Sequence, residues 1–172
     1  MTASKNSVDP NLEQKKLLIF GVVILLFIVG LSIVLNRVEA TRLRSDIYLR
    51  WYATVALLEE GRNIYDPVNA EEVNMIVYGI PEIEMKPGFY YPANLLLLTV
   101  PLTWMSYETA SLVWMILGQL FYVIGIYAVM VAIKWPQRAI PITIFLGLCL
   151  LFIPAFQHVI WGQFNTIGVF CL

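Results

Sequence analysis

"LLIFGVVILLFIVGLSIVL", residues 17–35, runs for nineteen positions without a charge. At about 1.5 Å of helix rise per residue it covers about 30 Å, the thickness of a bilayer's hydrocarbon core. The stretch therefore predicts a transmembrane helix. A cleaved signal would have a shorter apolar core and a small-residue cleavage site, whereas this run leads into Asn36, Arg37 and Arg42.

Composition extends the reading to the whole chain. Of 172 residues, 59% are hydrophobic and 13% charged, with a mean hydropathy of +0.74. A soluble domain carries about 25% charged residues, so the bilayer is this chain's solvent. Eleven Lys and Arg stand against twelve Asp and Glu, a net charge of −1. That balance excludes the basic surface that nucleic-acid binding needs and leaves lipids or lipid-linked compounds as partners. Cys149 and Cys171 lie in apolar runs, where a thiol acts as a small hydrophobe, and no disulfide is expected. With His158 as the single histidine and no Cys/His cluster, no metal site is expected either.

The polar chemistry is concentrated in one place. Residues 36–88 hold six of the eleven basic residues and nine of the twelve acidic ones. Within this stretch Ile47, Trp51, Val55 and Leu58 recur at steps of three and four, with Asp46, Arg50, Glu59 and Glu60 off the stripe. The pattern predicts an amphipathic helix from Asp46, stopped by Gly61, with Trp51, Tyr48 and Tyr52 suited to a membrane interface. "NIYDP" then turns the chain, with Asp66 a turn residue before Pro67. A second helix is expected over 69–78, capped by Asn69, before Pro81, Pro87 and Gly88 interrupt it.

From Pro92 to Met105 the chain is apolar again, but fourteen residues give only about 21 Å of helix. Residues 109–133 are long enough to cross, "KWPQR" at 134–138 makes a short basic loop, and 139–156 and 164–172 are further apolar runs. The last run is unfinished, which points to the N-terminal part of a larger multi-span protein. The organisation expected is thus a tail over 1–16, a span over 17–35, a large loop over 36–91 and a truncated helical membrane region over 92–172.

Three stretches in this order, "SDIYLRWYATVALLEEGRNIYDP", "FYYPANLLLLTVPL" and "GQFNTIGVF", resemble the membrane glycosyltransferases of family 87. These are related to polyprenol-phosphate-mannose-dependent mannosyltransferases and belong to the GT-C fold class. The resemblance implies an all-α, polytopic membrane protein of GT-C-like fold with an amphipathic first extracytoplasmic loop. It implies inverting transfer of a hexose, mannose before others, from a polyprenyl-phosphate carrier to the hydroxyl of a glycan or glycolipid acceptor. No cofactor is implied beyond the donor substrate itself. The motif's acid is Asp46, whose role would be general base towards the acceptor hydroxyl.

Phosphate needs compensating charge, and Arg42, Arg44, Arg50 and Arg62 are the candidates; Tyr91, His158, Gln163 and Asn165 are candidates for further substrate contacts. Each has a plainer reading beside it. Asp46 also fits the cap of the helix it begins, the arginines fit membrane-edge anchors, and Arg50 lies one helical turn from Asp46, where it can pair with that acid. Tyr90 and Tyr91 fit interfacial aromatics.

Sidedness rests on the resemblance, since Lys5, Lys15 and Lys16 before the first span balance Arg37, Arg42 and Arg44 after it. A cytoplasmic N-terminus puts the acidic loop outside, in the plasma membrane. If residues 92–105 cross fully, "KWPQR" is also outside and "GQFN" is separated from Asp46. If they form a re-entrant half-segment, "KWPQR" is inside and "GQFN" lies near Asp46; length and charge favour this second arrangement. The rival functions are a transporter or flippase of lipid-linked sugar and a non-catalytic assembly subunit.

Overall fold

The computed structural model describes residues 10–37, 46–79, 89, 91–135, 138–152 and 157. Those residues form helices α1 (Pro10–Arg37), α2 (Asp46–Glu60), α3 (Pro67–Tyr78), α4 (Tyr107–Ala132) and α5 (Ala139–Leu151), with two 3₁₀ turns, η1 (Ala93–Leu98) and η2 (Val100–Trp104), between α3 and α4. The fold is all-α, with no strand among the described residues. Two of the helices, α1 and α4, are long and apolar enough to cross a membrane.

The two long helices run antiparallel. Near the end of α1 the Asn36 amide donates to the Glu108 carbonyl at the start of α4, 3.0 Å away. Further in, Gln119 Nε2 donates to Ser32 Oγ at 2.6 Å, both side chains buried. Without water in the surroundings, such a bond satisfies groups that are costly to leave alone. At the opposite end of α1 the Glu13 carboxylate accepts from the Ala139 backbone N–H at 3.1 Å, completing the first turn of α5 where Arg138 supplies no side-chain cap. The turn before α5 therefore lies at the Glu13 end, and α2, α3, η1 and η2 lie between helix ends at the other.

Residues 92–105 connect the two helix groups at that end. They form no continuous α-helix: η1 gives way to η2 at Thr99, and Pro101 sits in the first turn of η2. With three residues per turn a 3₁₀ segment has strict faces. Leu96, Thr99 and Leu102 are buried against α2, while Leu98, Pro101 and Trp104 form the outer edge, Trp104 being 85% exposed. The Thr99 hydroxyl lies 2.7 Å from that of Thr54 on α2, and Trp51 Nε1 donates to the Leu102 carbonyl at 3.2 Å.

The stripe Ile47–Trp51–Val55–Leu58 divides between two surroundings: Ile47 is 1% exposed and Leu58 53% exposed, and the residues of α2 buried within the chain are Ile47, Tyr48, Arg50, Ala53, Thr54 and Ala56. The reason is that α2 is clasped on two sides. Ile47 packs with Leu102, Ala110 and Trp114, and Ala53 packs with Ile64, Phe89 and Leu96. The helix after the turn begins earlier than expected, with Asp66 as N-cap accepting from the Val68 N–H at 3.0 Å and Pro67 at the first helical position. Asn69 instead lies inside α3, where its amide donates to the Asn63 carbonyl at 2.9 Å. Gly61 does stop α2, at φ 67°, its N–H bonded to the Leu57 carbonyl.

Candidate active site

Asp46 opens α2, where a carboxylate complements the helix dipole. Arg50 follows four residues later on the same face. Its side chain is 1% exposed, its Nη2 lies 3.6 Å from Asp46 Oδ2, and the Asp46 side chain is 33% exposed. The third member arrives from 45 residues away. The Tyr91 hydroxyl donates to Asp46 Oδ2 at 3.1 Å, and the Arg50 guanidinium carbon sits 4.1 Å from the Tyr91 ring centroid. Ring and carboxylate thus share one buried cation, the ring through its negative face. Burial pulls the Arg50 pKa below the usual guanidinium value, while Tyr91 and Asp46 hold it up; a guanidinium nevertheless stays charged at neutral pH.

Tyr91 is itself held. Its carbonyl accepts from the Tyr65 hydroxyl at 3.0 Å, and Phe89 stands edge-on to both rings, with centroids 5.6 Å from Tyr65 and 5.9 Å from Tyr91. The segment carrying Tyr91 is thereby pinned between the start of α2 and the turn after it. Both polar contacts to Asp46 fall on Oδ2, and Oδ1 takes part in neither. A partly exposed carboxylate with one oxygen engaged and the other outside that pair is suited to accept a proton from a bound hydroxyl.

Arg62 belongs to a different cluster. It stands beyond the C-terminal end of α2, with fourteen further helical residues between it and Asp46, about 21 Å of helix. There it pairs with Glu60 and Glu72, and the Tyr52 hydroxyl also donates to Glu72. The Tyr52 bond and the Arg62 charge hold the Glu72 carboxyl below the usual range. Burial, then the bond to Glu72, pushes Tyr52 up to about 12, and the bond to Glu72 raises Arg62. This cluster braces α2 against α3. Of the other candidates, Arg42, Arg44, His158, Gln163 and Asn165 lie outside the described residues, as does Tyr90. Among the described residues no group of three or more His, Cys, Asp or Glu could hold a metal ion.

Tyr65, Thr54 and Thr99 were not singled out from sequence. Tyr65 gives no local signal, because its partner is a backbone carbonyl 26 residues on. The i,i+4 spacing of Asp46 and Arg50 was the one local sign of the cluster.

The model of glycosyltransferase family 87 matches residues 89–172. Over those residues, just under half of the chain, the sequence is similar to glycosyltransferase family 87. No curated protein and no solved structure matches the chain. The family 87 region begins at Phe89 and so contains Tyr91, η1, η2, α4 and α5. Asp46 and Arg50 precede it and are joined to it through the Tyr91 hydrogen bond and ring contact. The likeness to a glycosyltransferase family thus falls on a chain with two helices long and apolar enough to cross a membrane.

Proposed function

We propose that this protein transfers a hexose from a polyprenyl-phosphate carrier to the hydroxyl of a glycan or glycolipid acceptor at the extracytoplasmic face of the plasma membrane, with Asp46 as general base. One observation carries the reading: a partly exposed carboxylate at the head of α2, fixed by a residue of the family 87 region, at the end of two antiparallel membrane-length helices. In the reaction Asp46 takes the acceptor hydroxyl's proton as that oxygen bonds to the anomeric carbon. The bond from that carbon to the phosphate oxygen breaks, polyprenyl phosphate leaves with the electron pair, and the configuration inverts.

The donor's own phosphate is the leaving group, so the chemistry needs neither a nucleotide nor a cofactor. Arg42 and Arg44, four and two residues ahead of Asp46 in sequence, are the cations we assign to that phosphate. Arg62 has the bracing role its partners give it. His158, Gln163 and Asn165 are assigned to the donor, on the polar cost of leaving them alone near a span.

The test is transfer of radiolabelled sugar by the full chain in membranes, offered polyprenyl-phosphate sugars and nucleotide sugars in turn, with and without chelator. Transfer from the polyprenyl-phosphate donor alone, undiminished by chelator, is expected. Transfer from a nucleotide sugar, loss of activity in chelator restored by one specific ion, or uptake of lipid-linked sugar with no transfer would overturn the reading.

A further inference from the structure

Three facts about the cluster at the head of α2 go together. Arg50 is buried to 1%, too deeply to meet a lipid phosphate at the membrane surface. Among the described residues its guanidinium meets the Asp46 carboxylate at 3.6 Å and the Tyr91 ring at 4.1 Å. The Tyr91 hydroxyl and Arg50 Nη2 both meet Asp46 on Oδ2.

We propose that Arg50 and Tyr91 are positioning residues that hold Asp46 by Oδ2 and so present Oδ1 to the acceptor hydroxyl. The proposal deepens the reading of Asp46 as base and rests on it. A carboxylate on a single side-chain bond at a helix start can turn about two torsions, and each turn moves both oxygens. A donor on Oδ2 from Tyr91, which is tethered by Tyr65 and Phe89, and a cation from within α2 itself fix those torsions from two directions. Such preorganisation acts on the chemical step, because misplacing a reacting atom by about 1 Å costs about 10²-fold in rate. It leaves the donor's binding alone, since neither side chain is spent on the phosphate.

Tyr91 meets the pair in two ways: its hydroxyl donates to Asp46 and also bonds the Arg50 side chain, and its ring faces the guanidinium. Tyr91→Phe removes what the hydroxyl does and keeps the ring. Arg50→Lys keeps a charge but loses the planar guanidinium that matches a flat ring.

The experiment measures kcat and the donor KM for the full chain in membranes at equal abundance. The variants are Tyr91→Phe, Arg50→Lys, Arg50→Gln and, as reference, Asp46→Asn. In Tyr91→Phe and Arg50→Lys, kcat is expected to fall about tenfold or more with the donor KM within twofold of wild type, and Arg50→Gln should fall further than Arg50→Lys. A raised donor KM at unchanged kcat would make these residues phosphate or sugar ligands and overturn the proposal, as would wild-type kcat in Tyr91→Phe. Tyr91→Phe keeps the ring and its packing, so its result stands even if Arg50→Gln does not accumulate. Wild-type turnover in Asp46→Asn would instead remove the base reading, and this proposal with it; a silent Asp46→Asn beside fully active Tyr91→Phe and Arg50→Lys would remove this proposal alone.

Discussion

Ile47 and Leu58 lie on one stripe by sequence spacing and on different surfaces in the structure, so truncating each to Ala separates the two descriptions of α2. Ile47 is 1% exposed and packs with Leu102, Ala110 and Trp114, residues of η2 and α4. Ile47→Ala removes three carbons at about 0.8 kcal/mol each, about 2.4 kcal/mol of transfer free energy, and leaves a cavity that raises the cost to about 3 kcal/mol. Leu58 is 53% exposed, and Leu58→Ala should cost under about 0.5 kcal/mol. The assay is amide hydrogen exchange of α2 in a lipid nanodisc, where a loss of about 3 kcal/mol in opening free energy reads as about 10²-fold faster exchange. Exchange in α2 should accelerate by that factor in Ile47→Ala and hardly change in Leu58→Ala. Equal effects in the two variants, or none in Ile47→Ala, would show that α2 is not docked on η2 and α4 through this face.

Trp51→Glu should lower transfer by about 10²-fold, because a carboxylate beside Ile47 and Leu102 displaces the start of α2 that carries Asp46; Trp51→Phe, which loses only the bond to the Leu102 carbonyl, should keep more than about a tenth of the rate at equal abundance. The Tyr52–Arg62–Glu72 cluster should make stability depend on pH. Glu72 is held below its ordinary value, so its contribution is present above the unfolded carboxyl's pKa and is lost as pH falls through the folded one. Tyr52, raised to about 12, contributes below its unfolded value and loses that contribution as pH rises towards about 12. The gap in thermal midpoint between wild type and Glu72→Gln should therefore close in acid, and a gap unchanged at about pH 3 would be inconsistent with the lowered carboxyl. With Cys149 and Cys171 replaced, Val68→Cys and Arg138→Cys should react with an impermeant thiol reagent from opposite faces of the membrane; labelling from one face would contradict the antiparallel pairing of α1 and α4.

The helices that bilayer physics dictates were legible in the sequence. Charge-free runs mark the spans of α1 and α4 because hydrocarbon tolerates little else, and Gly61 marks the end of α2 because the chain there needs a positive φ. The 3₁₀ turns were not legible, since every face of residues 95–98 is leucine and an unbroken apolar run carries no periodicity. The cap of α3 was misplaced because Asp66 and Asn69 both suit the role, and Pro67, which favours the first helical position, was read only as part of a turn. The burial of Arg50 was hidden for a deeper reason. A charge reads as solvated until its partners are known, and the Tyr91 ring that covers it comes from beyond α3. The sequence placed Asp46 and Arg50 one turn apart and named Tyr91 as a candidate, but only the fold brings the three side chains together.

The central claim is that Asp46 removes the acceptor's proton, and the turnover of Asp46→Asn at saturating donor tests it most directly. Asn keeps the size and the helix-capping ability of Asp but cannot take a proton. General-base catalysis is typically worth about 10² to 10⁴ in rate, so the variant should reach wild-type abundance and turn over at no more than about a hundredth of the wild-type rate. Turnover above about a tenth of wild type, measured at equal abundance in the same membranes, would contradict the account.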